Sequence, residues 1–236
     1  LFRATFENTP QPITSAPSLV LHPTGTGYLV VFGTGKFFET GDKEGNKSIA
    51  QSVYGIWDKQ TRGELASNPG IDRRSLQQQS ISEQTTVSAA DGTTRQGRVI
   101  SNNAIDWNTQ NGWYLNLVQN DGEMVVENMS QLGRTIFMQS LVPNDDPCGD
   151  GAANWTYALN PFTGGRTAQN SFDYVPTGDA KSTNISAIRQ DGEGGGTISQ
   201  NSDGGFQFCT GQTCANIYPD PSSIGRQTWR RVETED

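Results

Sequence analysis

The chain has 236 residues, of which only 33% are hydrophobic, and it carries 27 glycines and a formal net charge of −8 at pH 7. The negative charge argues against nucleic acid or an anionic membrane surface as a partner, because both repel an acidic protein. No run approaches the ~18 apolar residues of a membrane span, and the glycine content indicates a turn-rich chain rather than a helical one.

Short strand-like runs follow one another along the whole chain. They combine β-branched and aromatic residues, and turn-forming pairs such as Asn111-Gly112 and Asp121-Gly122 separate them, as in β-hairpins. No long segment has the 3.6-residue period of an amphipathic helix, and the alternation within residues 73–87 favours an extended strand. The sequence therefore predicts an all-β fold with few, short helices. The predicted strands are 18–22, 27–33, 51–58, 97–100, 112–118, 123–128, 134–142, 154–160, 204–209 and 226–233.

The only histidine, His22, lies in a turn between the first two predicted strands. A Ser-His-Asp triad would depend entirely on it, and a histidine-based metal site would lack its other ligands. We predict that His22 is a surface turn residue without a chemical role, because loops collect polar residues.

The segment Gly33-Thr34-Gly35-Lys36 follows the second predicted strand and has part of the phosphate-loop pattern. That motif requires a glycine at the position of Val30 and a hydroxyl residue at the position of Phe37. Both positions are bulky and apolar, and no helix pattern follows. The segment is therefore not a nucleotide-binding loop.

Two acidic segments have the oxygen-rich composition of a cation loop. In residues 42–46, which begin at Asp42, the glycine falls one place early and the neighbouring lysines bring positive charge. The second segment holds Asp145, Asp146 and Asp150, and its proline and glycines indicate a tight loop. We predict solvated loops in both places, and we assign no catalytic, cofactor-binding or metal-binding residue in this chain.

The three cysteines are too few for a disulfide scaffold, and they lack the paired spacing of a zinc site. Cys209 and Cys214 enclose a four-residue segment between two strand-like runs, which places them on opposite sides of a short hairpin. We predict a disulfide between them in an oxidising compartment, with two reduced, half-buried thiols as the alternative. Cys148 is left without a partner.

A weak internal repeat occurs in residues 54–64, 112–123 and 154–165. Each copy places a tryptophan in a strand with alternating apolar residues and ends in a turn whose Asp or Asn side chain can bind backbone amides. A period of roughly 40–60 residues is typical of propeller blades. Residues 201–208 also resemble a degenerate Asp-box, a hairpin turn in which an Asp binds backbone N–H groups. A β-sandwich would explain the strands but not the repeat.

The chain resembles, in order along nearly its whole length, the C-terminal propeller of the PilC/PilY-type proteins of bacterial type IV pili. The matching segments are residues 13–42, 51–58, 112–117, 122–166 and 225–232. The resemblance implies that residues 1–236 are a single domain, the C-terminal portion of a longer chain. It also implies a quinoprotein-like β-propeller of four-stranded antiparallel blades with long loop insertions, in which Gly33–Lys36 is a strand end where backbones approach closely.

The same resemblance implies a non-enzymatic module at the pilus tip or outer membrane surface, extracellular in location. Such a module supports pilus assembly, opposes retraction and contributes to surface attachment. The implied partners are the minor pilins of the tip, a host or abiotic surface and the remainder of the parent propeller chain, with no small-molecule substrate. Members of the family often carry a calcium loop with alternating aspartates, which this sequence lacks. We therefore predict no cofactor here and leave calcium to the parent protein.

The alternative function is a quinoprotein dehydrogenase on a propeller scaffold. Such an enzyme needs a calcium-bound quinone, an aspartate base and adjacent cysteines or an aromatic sandwich over the cofactor. The chain has no adjacent cysteines and no convincing calcium loop. We predict that it is not an enzyme.

The length and the tryptophans give two further expectations. A complete propeller of seven or eight blades needs about 300 residues, so this chain would form four to five blades, either as a fragment or as an incomplete arc, with insertions at 59–110 and 176–205. The tryptophans that begin predicted strands are expected to lie in the core between blades, whereas Trp107 is expected to be an exposed contact residue. The predicted core tryptophans are Trp57, Trp113, Trp155 and Trp229.

Overall fold

A computed structural model of the chain describes residues 1–39, 41–42, 49–59, 70–144, 153–177, 184–191 and 195–220. These residues form seventeen β-strands and contain no α-helix, and Arg73–Ser75 forms one turn of 3-10 helix. None of their helical turns is long and apolar enough to cross a membrane. The strands are β1 Thr5–Phe6, β2 Thr9–Pro10, β3 Ser18–Leu21, β4 Tyr28–Gly33, β5 Gln51–Asp58, β6 Gln77–Gln79, β7 Ile81–Ser88, β8 Thr94–Ile100, β9 Gly112–Leu117, β10 Ser130–Leu132, β11 Thr135–Val142, β12 Ala153–Leu159, β13 Val175–Pro176, β14 Ala187–Asp191, β15 Thr197–Gln200, β16 Phe206–Thr210 and β17 Thr213–Ile217.

The first large sheet has five strands in the order β3-β4-β5-β9-β6. Its first four strands are antiparallel neighbours, and the short edge strand β6 runs parallel to β9. Leu29, Val53 and Leu115 are fully buried on one face of this sheet. The alternation of the sequence within β4 and β9 therefore does place one apolar face toward the core.

The second large sheet has seven strands in the order β10-β11-β12-β14-β8-β7-β13. Strands β7 and β8 form a hairpin that lies in the chain between β5 and β9 of the other sheet, yet β8 pairs with β14. The insertion expected at 59–110 is therefore more than a loop, because it contributes two strands to a sheet built mainly from later residues.

Three of the sheets pack against one another in layers, with a hydrophobic cluster between each neighbouring pair. The first cluster joins the five-stranded sheet to the seven-stranded sheet, with Trp113 on one side and Tyr157 on the other. The second joins the opposite face of the seven-stranded sheet to the three-stranded sheet β15-β16-β17, where Phe137 stacks on Phe208. A third, smaller cluster covers the outer face of the five-stranded sheet with N-terminal residues such as Ala4.

Most of the predicted strands are confirmed, several of them to within one or two residues at each end. The prediction for 123–128 is wrong. Met124 makes only an isolated bridge to Leu141, while the backbone N–H of Val125 donates to the carbonyl of Thr34, so this segment crosses from one sheet to the other. The strand predicted at 226–233 lies outside the described residues.

Candidate functional site

An open cleft of about 620 Å³ lies on the outer side of the five-stranded sheet. Its floor is Tyr114 of β9, and its walls are the N-terminal segment and the 3-10 turn that Asp72 caps by accepting a hydrogen bond from the N–H of Arg74. These three parts of the chain are remote in sequence, so only the tertiary fold creates the cleft. The lining residues are Arg3, Thr5, Glu7, Asn8, Ile71, Asp72, Arg73, Arg74 and Tyr114.

Arg73 is the central cation of this cleft, and surrounding groups hold it in a defined position. Its guanidinium donates hydrogen bonds to the carbonyl of Thr5 at 2.5 Å, to the hydroxyl of Tyr54 and to the side-chain carbonyl of Asn116. It also lies 4.1 Å from the ring centre of Tyr114 and 5.3 Å from that of Tyr54. All of these partners are neutral, so the described residues leave the positive charge of Arg73 without a carboxylate.

The other charges of the cleft are exposed. Arg74 and Asp72 form an ion pair at 2.7 Å, and hydrogen bonds from Arg74 lower the pKa of Asp72 to about 2. Arg3 and Glu7 complete the charged lining. Three arginines line the cleft together with the polar side chains of Thr5, Asn8 and Tyr114, so the arrangement is suited to binding an anion.

Glu7 and Asn8 form the turn between β1 and β2 at the rim of the cleft. Their φ angles are +46° and +69°, a region that residues with side chains adopt uncommonly, Asn more readily than Glu. Two successive positive φ angles are the requirement of a type I′ hairpin turn. The rim of the cleft is therefore a tight hairpin turn between two short strands.

His22 lies in the turn between β3 and β4, as predicted, but the prediction that it is a surface residue is wrong. The side chain is only 1% exposed, and it stacks on the ring of Trp57 at 3.9 Å while the ring of Trp107 meets it edge-on at 4.3 Å. Nδ1 lies 2.7 Å from the hydroxyl oxygen of Thr24 and 3.2 Å from its backbone nitrogen, and Nε2 is buried without a partner. Burial, followed by the charge of Lys59, lowers the pKa of His22.

The same cluster corrects the prediction for Trp107. Its side chain is half-buried and packs against the core between the two large sheets, so it is not an exposed contact residue. Trp57 is also half-buried, and its indole N–H donates to the carbonyl of Thr26 at 2.9 Å. Polar neighbours in the sequence around Trp107 suggested exposure, but edge-on contacts with His22 and Trp57 remove much of its surface from water.

Trp113 and Trp155 are core residues, as predicted, with exposed fractions of 0% and 2%. The indole N–H of Trp113 donates to the carbonyl of Pro161 at 2.9 Å, and the ring lies against Gly55 and Gly164. Trp229 lies outside the described residues.

A buried ion pair that the sequence analysis did not detect connects three parts of the seven-stranded sheet region. Arg98 of β8 donates to both carboxylate oxygens of Glu123 at 2.8 and 2.9 Å, and both side chains are completely buried. The hydroxyls of Ser140 and Tyr157 also donate to Glu123, and the guanidinium lies 3.7 Å from the ring centre of Trp155. The available signal was an arginine inside the apolar run 97–100.

The segment Gly33–Lys36 begins at the last residue of strand β4. A Cβ atom on Gly33 would lie 2.4 Å from the Cβ of Val125, which shows the expected close approach. Lys36 pairs with Glu39 at 3.0 Å, and the hydrogen bond to Glu39 raises the pKa of Lys36. Its ammonium group is therefore engaged locally.

The acidic segments are described only in part. The Asp42 carboxylate accepts hydrogen bonds at 2.8 Å from the N–H groups of Phe38 and Glu39, and these bonds lower its pKa. Residues 43–46 and the aspartates Asp145, Asp146 and Asp150 lie outside the described residues. Within the described part of the chain, no three His, Cys, Asp or Glu side chains form a metal-binding group.

The predicted disulfide is confirmed, and the turn before it is corrected. Cys209 and Cys214 are directly opposite one another in the β16–β17 hairpin and are bonded. In the preceding turn, the side chain of Asn201 rather than Asp203 accepts the backbone hydrogen bonds, from the N–H groups of Asp203 and Gly205. Cys148 lies outside the described residues.

Comparison with known proteins identifies the family. A family model of the PilY1 β-propeller domain matches residues 3–93. The type IV pilus biogenesis factor PilY1 of Pseudomonas aeruginosa strain PAO1 is 44% identical over 243 residues, which cover 94% of this chain and 21% of that protein. The chain belongs to the PilY1 β-propeller family.

A solved structure and a more distant relative agree with this membership. The crystal structure of the P. aeruginosa PilY1 C-terminal domain superimposes with a TM-score of 0.83 at 39% identity, covering 94% of this chain and 48% of that one. A PilY1 homolog of Xylella fastidiosa is 32% identical over 178 residues, 73% of this chain and 13% of that protein. The predicted all-β propeller class is thereby confirmed. The number of blades and the quinoprotein-like detail stay predictions.

The chain spans about a fifth of the length of the P. aeruginosa PilY1 relative, at 21% of that protein. The described strands fit the family in one respect, because each large sheet contains four neighbouring antiparallel strands. These are β3-β4-β5-β9 in one sheet and β10-β11-β12-β14 in the other.

Proposed function

We propose that this chain is a non-enzymatic propeller module of a type IV pilus biogenesis factor. The observation that carries the proposal is the 44% identity to P. aeruginosa PilY1 over 94% of the chain. The TM-score of 0.83 to the PilY1 C-terminal domain supports the same conclusion, since the two folds agree over nearly the whole chain. In this role the module supports pilus assembly, opposes retraction and contributes to surface attachment.

The location and partners follow from the same relationship. The module acts outside the cell, at the pilus tip or the outer membrane surface, where a disulfide such as Cys209–Cys214 persists. Its partners are the minor pilins of the tip, the remainder of the parent chain and a host or abiotic surface. Calcium, if required, is bound elsewhere in the parent protein.

Two features of the described residues support a binding module over a dehydrogenase. The imidazole of His22 is enclosed by two tryptophan rings, so substrate cannot reach the chain's only histidine. The Glu123 carboxylate, buried in the core, is occupied by a guanidinium and two hydroxyls. The imidazole of His22 is used in aromatic packing, and the carboxylate of Glu123 is used in an ion pair.

The function is tested by complementation of a strain that lacks the parent protein. One plasmid carries the intact parent, a second a parent with Trp113→Ala in this module, and a third the exposed-site control Asp203→Asn. Surface pili are counted by electron microscopy in strains with and without an active retraction ATPase, and immunoblots report the amount of each parent protein.

The intact protein and the control variant should restore pili, whereas the core variant should not do so in the retracting strain. If the Trp113→Ala parent restores pili once retraction is disabled, the module opposes retraction. If pili stay absent in that strain, the module is required for assembly. In a second comparison, a parent protein from which residues 1–236 have been deleted is compared with the intact parent in both strains. Normal pilus numbers after that removal, in both strains, would contradict the proposal.

A further inference from the structure

We propose that the cleft around Arg73 is a binding site for a carboxylate-bearing segment of a protein partner, with Arg73 and Arg3 as the anion-binding residues. The site is defined by its own charge and shape, so the inference does not depend on the pilus role. The ligand chemistry is a carboxylate group, and the partner is an acidic peptide segment.

The state of Arg73 is the first argument. A guanidinium has five N–H donors, and three of them are used by Thr5, Tyr54 and Asn116. The remaining donors, on Nε and Nη2, have no acceptor among the described residues. A half-buried cation that is held only by neutral groups keeps its charge available, and a carboxylate is the planar, bidentate acceptor that a guanidinium fits best.

The charge balance of the cleft is the second argument. Three arginines and two carboxylates line it, although the whole chain carries a net charge of −8. Asp72 is already paired with Arg74 at 2.7 Å, which leaves Arg3, Arg73 and Glu7 as the other charged residues of the lining. The cleft is thus a local positive site on an acidic protein, and it attracts anions that the rest of the surface repels.

The shape and rigidity of the cleft are the third argument. Its volume of about 620 Å³ lies within the range of roughly 300–1,000 Å³ that is usual for ligand sites. Tyr114 and Ile71 supply an apolar surface next to the cations, which suits a side chain flanking a carboxylate. The guanidinium of Arg73 is already held by its hydrogen bonds and by its position over the ring of Tyr114. The Arg73 side chain therefore loses little rotamer entropy when a ligand binds.

The test measures fluorescence anisotropy of a labelled heptapeptide with three acidic residues separated by alanine and leucine, added to the full chain. A peptide with Gln and Asn at the acidic positions is the neutral control, and sodium acetate is the competing free carboxylate. We compare the parental chain with Arg73→Gln, Arg3→Gln and Arg134→Gln. Arg134 is exposed and does not line the cleft, so it controls for loss of one positive charge.

We expect the acidic peptide to bind and the neutral peptide to bind at least tenfold more weakly. Arg3→Gln should weaken binding about tenfold with an unchanged circular dichroism spectrum, since the Arg3 side chain is exposed. Arg134→Gln should change the affinity less than twofold. Arg73→Gln should weaken binding more than Arg3→Gln does, and Arg3→Gln keeps the test valid if the Arg73 variant does not fold.

Three outcomes would overturn the proposal. Equal affinity for the acidic and neutral peptides would show that the cleft does not recognise the carboxylate group. Absence of binding to the acidic peptide would show the same. An effect of Arg134→Gln equal to that of Arg3→Gln would show nonspecific charge attraction. Acetate would displace the labelled peptide at a concentration equal to that of the peptide's carboxylate groups if the cleft bound a small free acid rather than a peptide.

Discussion

His22 is a polar residue that is buried among aromatic side chains. Nδ1 is hydrogen-bonded to Thr24, whereas Nε2 is buried without a hydrogen-bond partner. That arrangement costs free energy, and stacking on Trp57 and contact with Trp107 offset it. A positive charge on this ring would be still less favourable beside Lys59.

The lowered pKa of His22 predicts a specific loss of stability in acid. The unfolded imidazole takes up its proton near pH 6.5, whereas the folded one resists protonation to lower pH. The contribution of His22 to the free energy of unfolding is therefore complete above about pH 6.5 and is lost as the pH falls toward the folded-state pKa.

The measurement is urea unfolding of the parental chain and of His22→Phe between pH 7.5 and pH 5. Phenylalanine keeps a ring against Trp57 but does not titrate, and carboxylates elsewhere contribute equally to both proteins. The parental chain should lose stability relative to the variant as the pH falls. Parallel curves across this range would show that His22 is protonated equally in the folded and unfolded states.

Gly164 is required by the position of Trp113. A Cβ atom on Gly164 would lie 2.1 Å from the indole ring, and its φ is +68°. Gly92 has a similar φ of +84° but has nothing within 4 Å of its Cβ position, so it is a matched control. Gly92→Ala should cost about 1–2 kcal/mol for the backbone conformation alone. Gly164→Ala should cost roughly 1–3 kcal/mol more, because it also overpacks the core.

Chemical denaturation of both variants, followed by tryptophan fluorescence, gives the comparison. Trp113→Ala is the complementary change and should lower the free energy of unfolding by roughly 3–5 kcal/mol. If Gly164→Ala and Gly92→Ala were equally stable, the ring of Trp113 would not fill the space that its burial indicates.

At the scale of elements, the buried ion pair Arg98–Glu123 connects the β7–β8 hairpin to the rest of its sheet. Arg98 belongs to the inserted strand β8, and Glu123 belongs to the segment that passes between the two large sheets. The hydroxyl of Tyr157 on β12 also donates to Glu123. Burial and the charge of Glu123 raise the pKa of Tyr157 well above its usual value, so its hydroxyl stays protonated.

Glu123→Gln should lower the free energy of unfolding by about 3–5 kcal/mol, because it leaves the Arg98 charge buried without a counterion. The control is Glu83→Gln on the same hairpin, where we expect about 0.5 kcal/mol or less. The double variant Arg98→Met with Glu123→Leu should be more stable than Glu123→Gln, since it removes both charges. Equal denaturation midpoints for parental and Glu123→Gln proteins would contradict this role.

The disulfide acts on the small sheet β15-β16-β17. The bond Cys209–Cys214 closes a loop of only a few residues, so we expect its reduction to cost about 2 kcal/mol. Alkylation without reductant followed by intact-mass analysis should find one modified thiol, that of Cys148. Three modified thiols in the untreated protein would exclude the bond. Cys209→Ser with Cys214→Ser should match the reduced protein in stability.

At the scale of the whole molecule, the described strands form four sheets, three of which pack in layers, and these residues contain no α-helix. A far-UV circular dichroism spectrum should therefore show a β-type minimum and less than about 10% helix. Strong helical minima at 208 and 222 nm would contradict this fold. The measurement includes the segments outside the described residues, so it tests the all-β prediction for the complete chain.

Part of the site was accessible from sequence because it depended on local pattern. Val30 and Phe37 excluded a phosphate loop directly, and the spacing of Cys209 and Cys214 around a turn predicted their bond. Alternation placed Trp113 on the apolar face of a strand, and its burial followed. Each of these inferences required only neighbours in the chain, where the two-residue period of a strand determines which side chains share a face.

Tertiary structure decided the rest, because local periodicity does not specify which faces meet. The sequence determined that the chain would be all-β, with strands close to those observed, and its motifs indicated the propeller family. It did not determine that β8 would pair with β14, that His22 would be enclosed by Trp57 and Trp107, or that Arg73 and Arg3 would line the same cleft. Each of those arrangements joins segments that are distant in the chain, and their free energy depends on contacts that exist only after the sheets have packed.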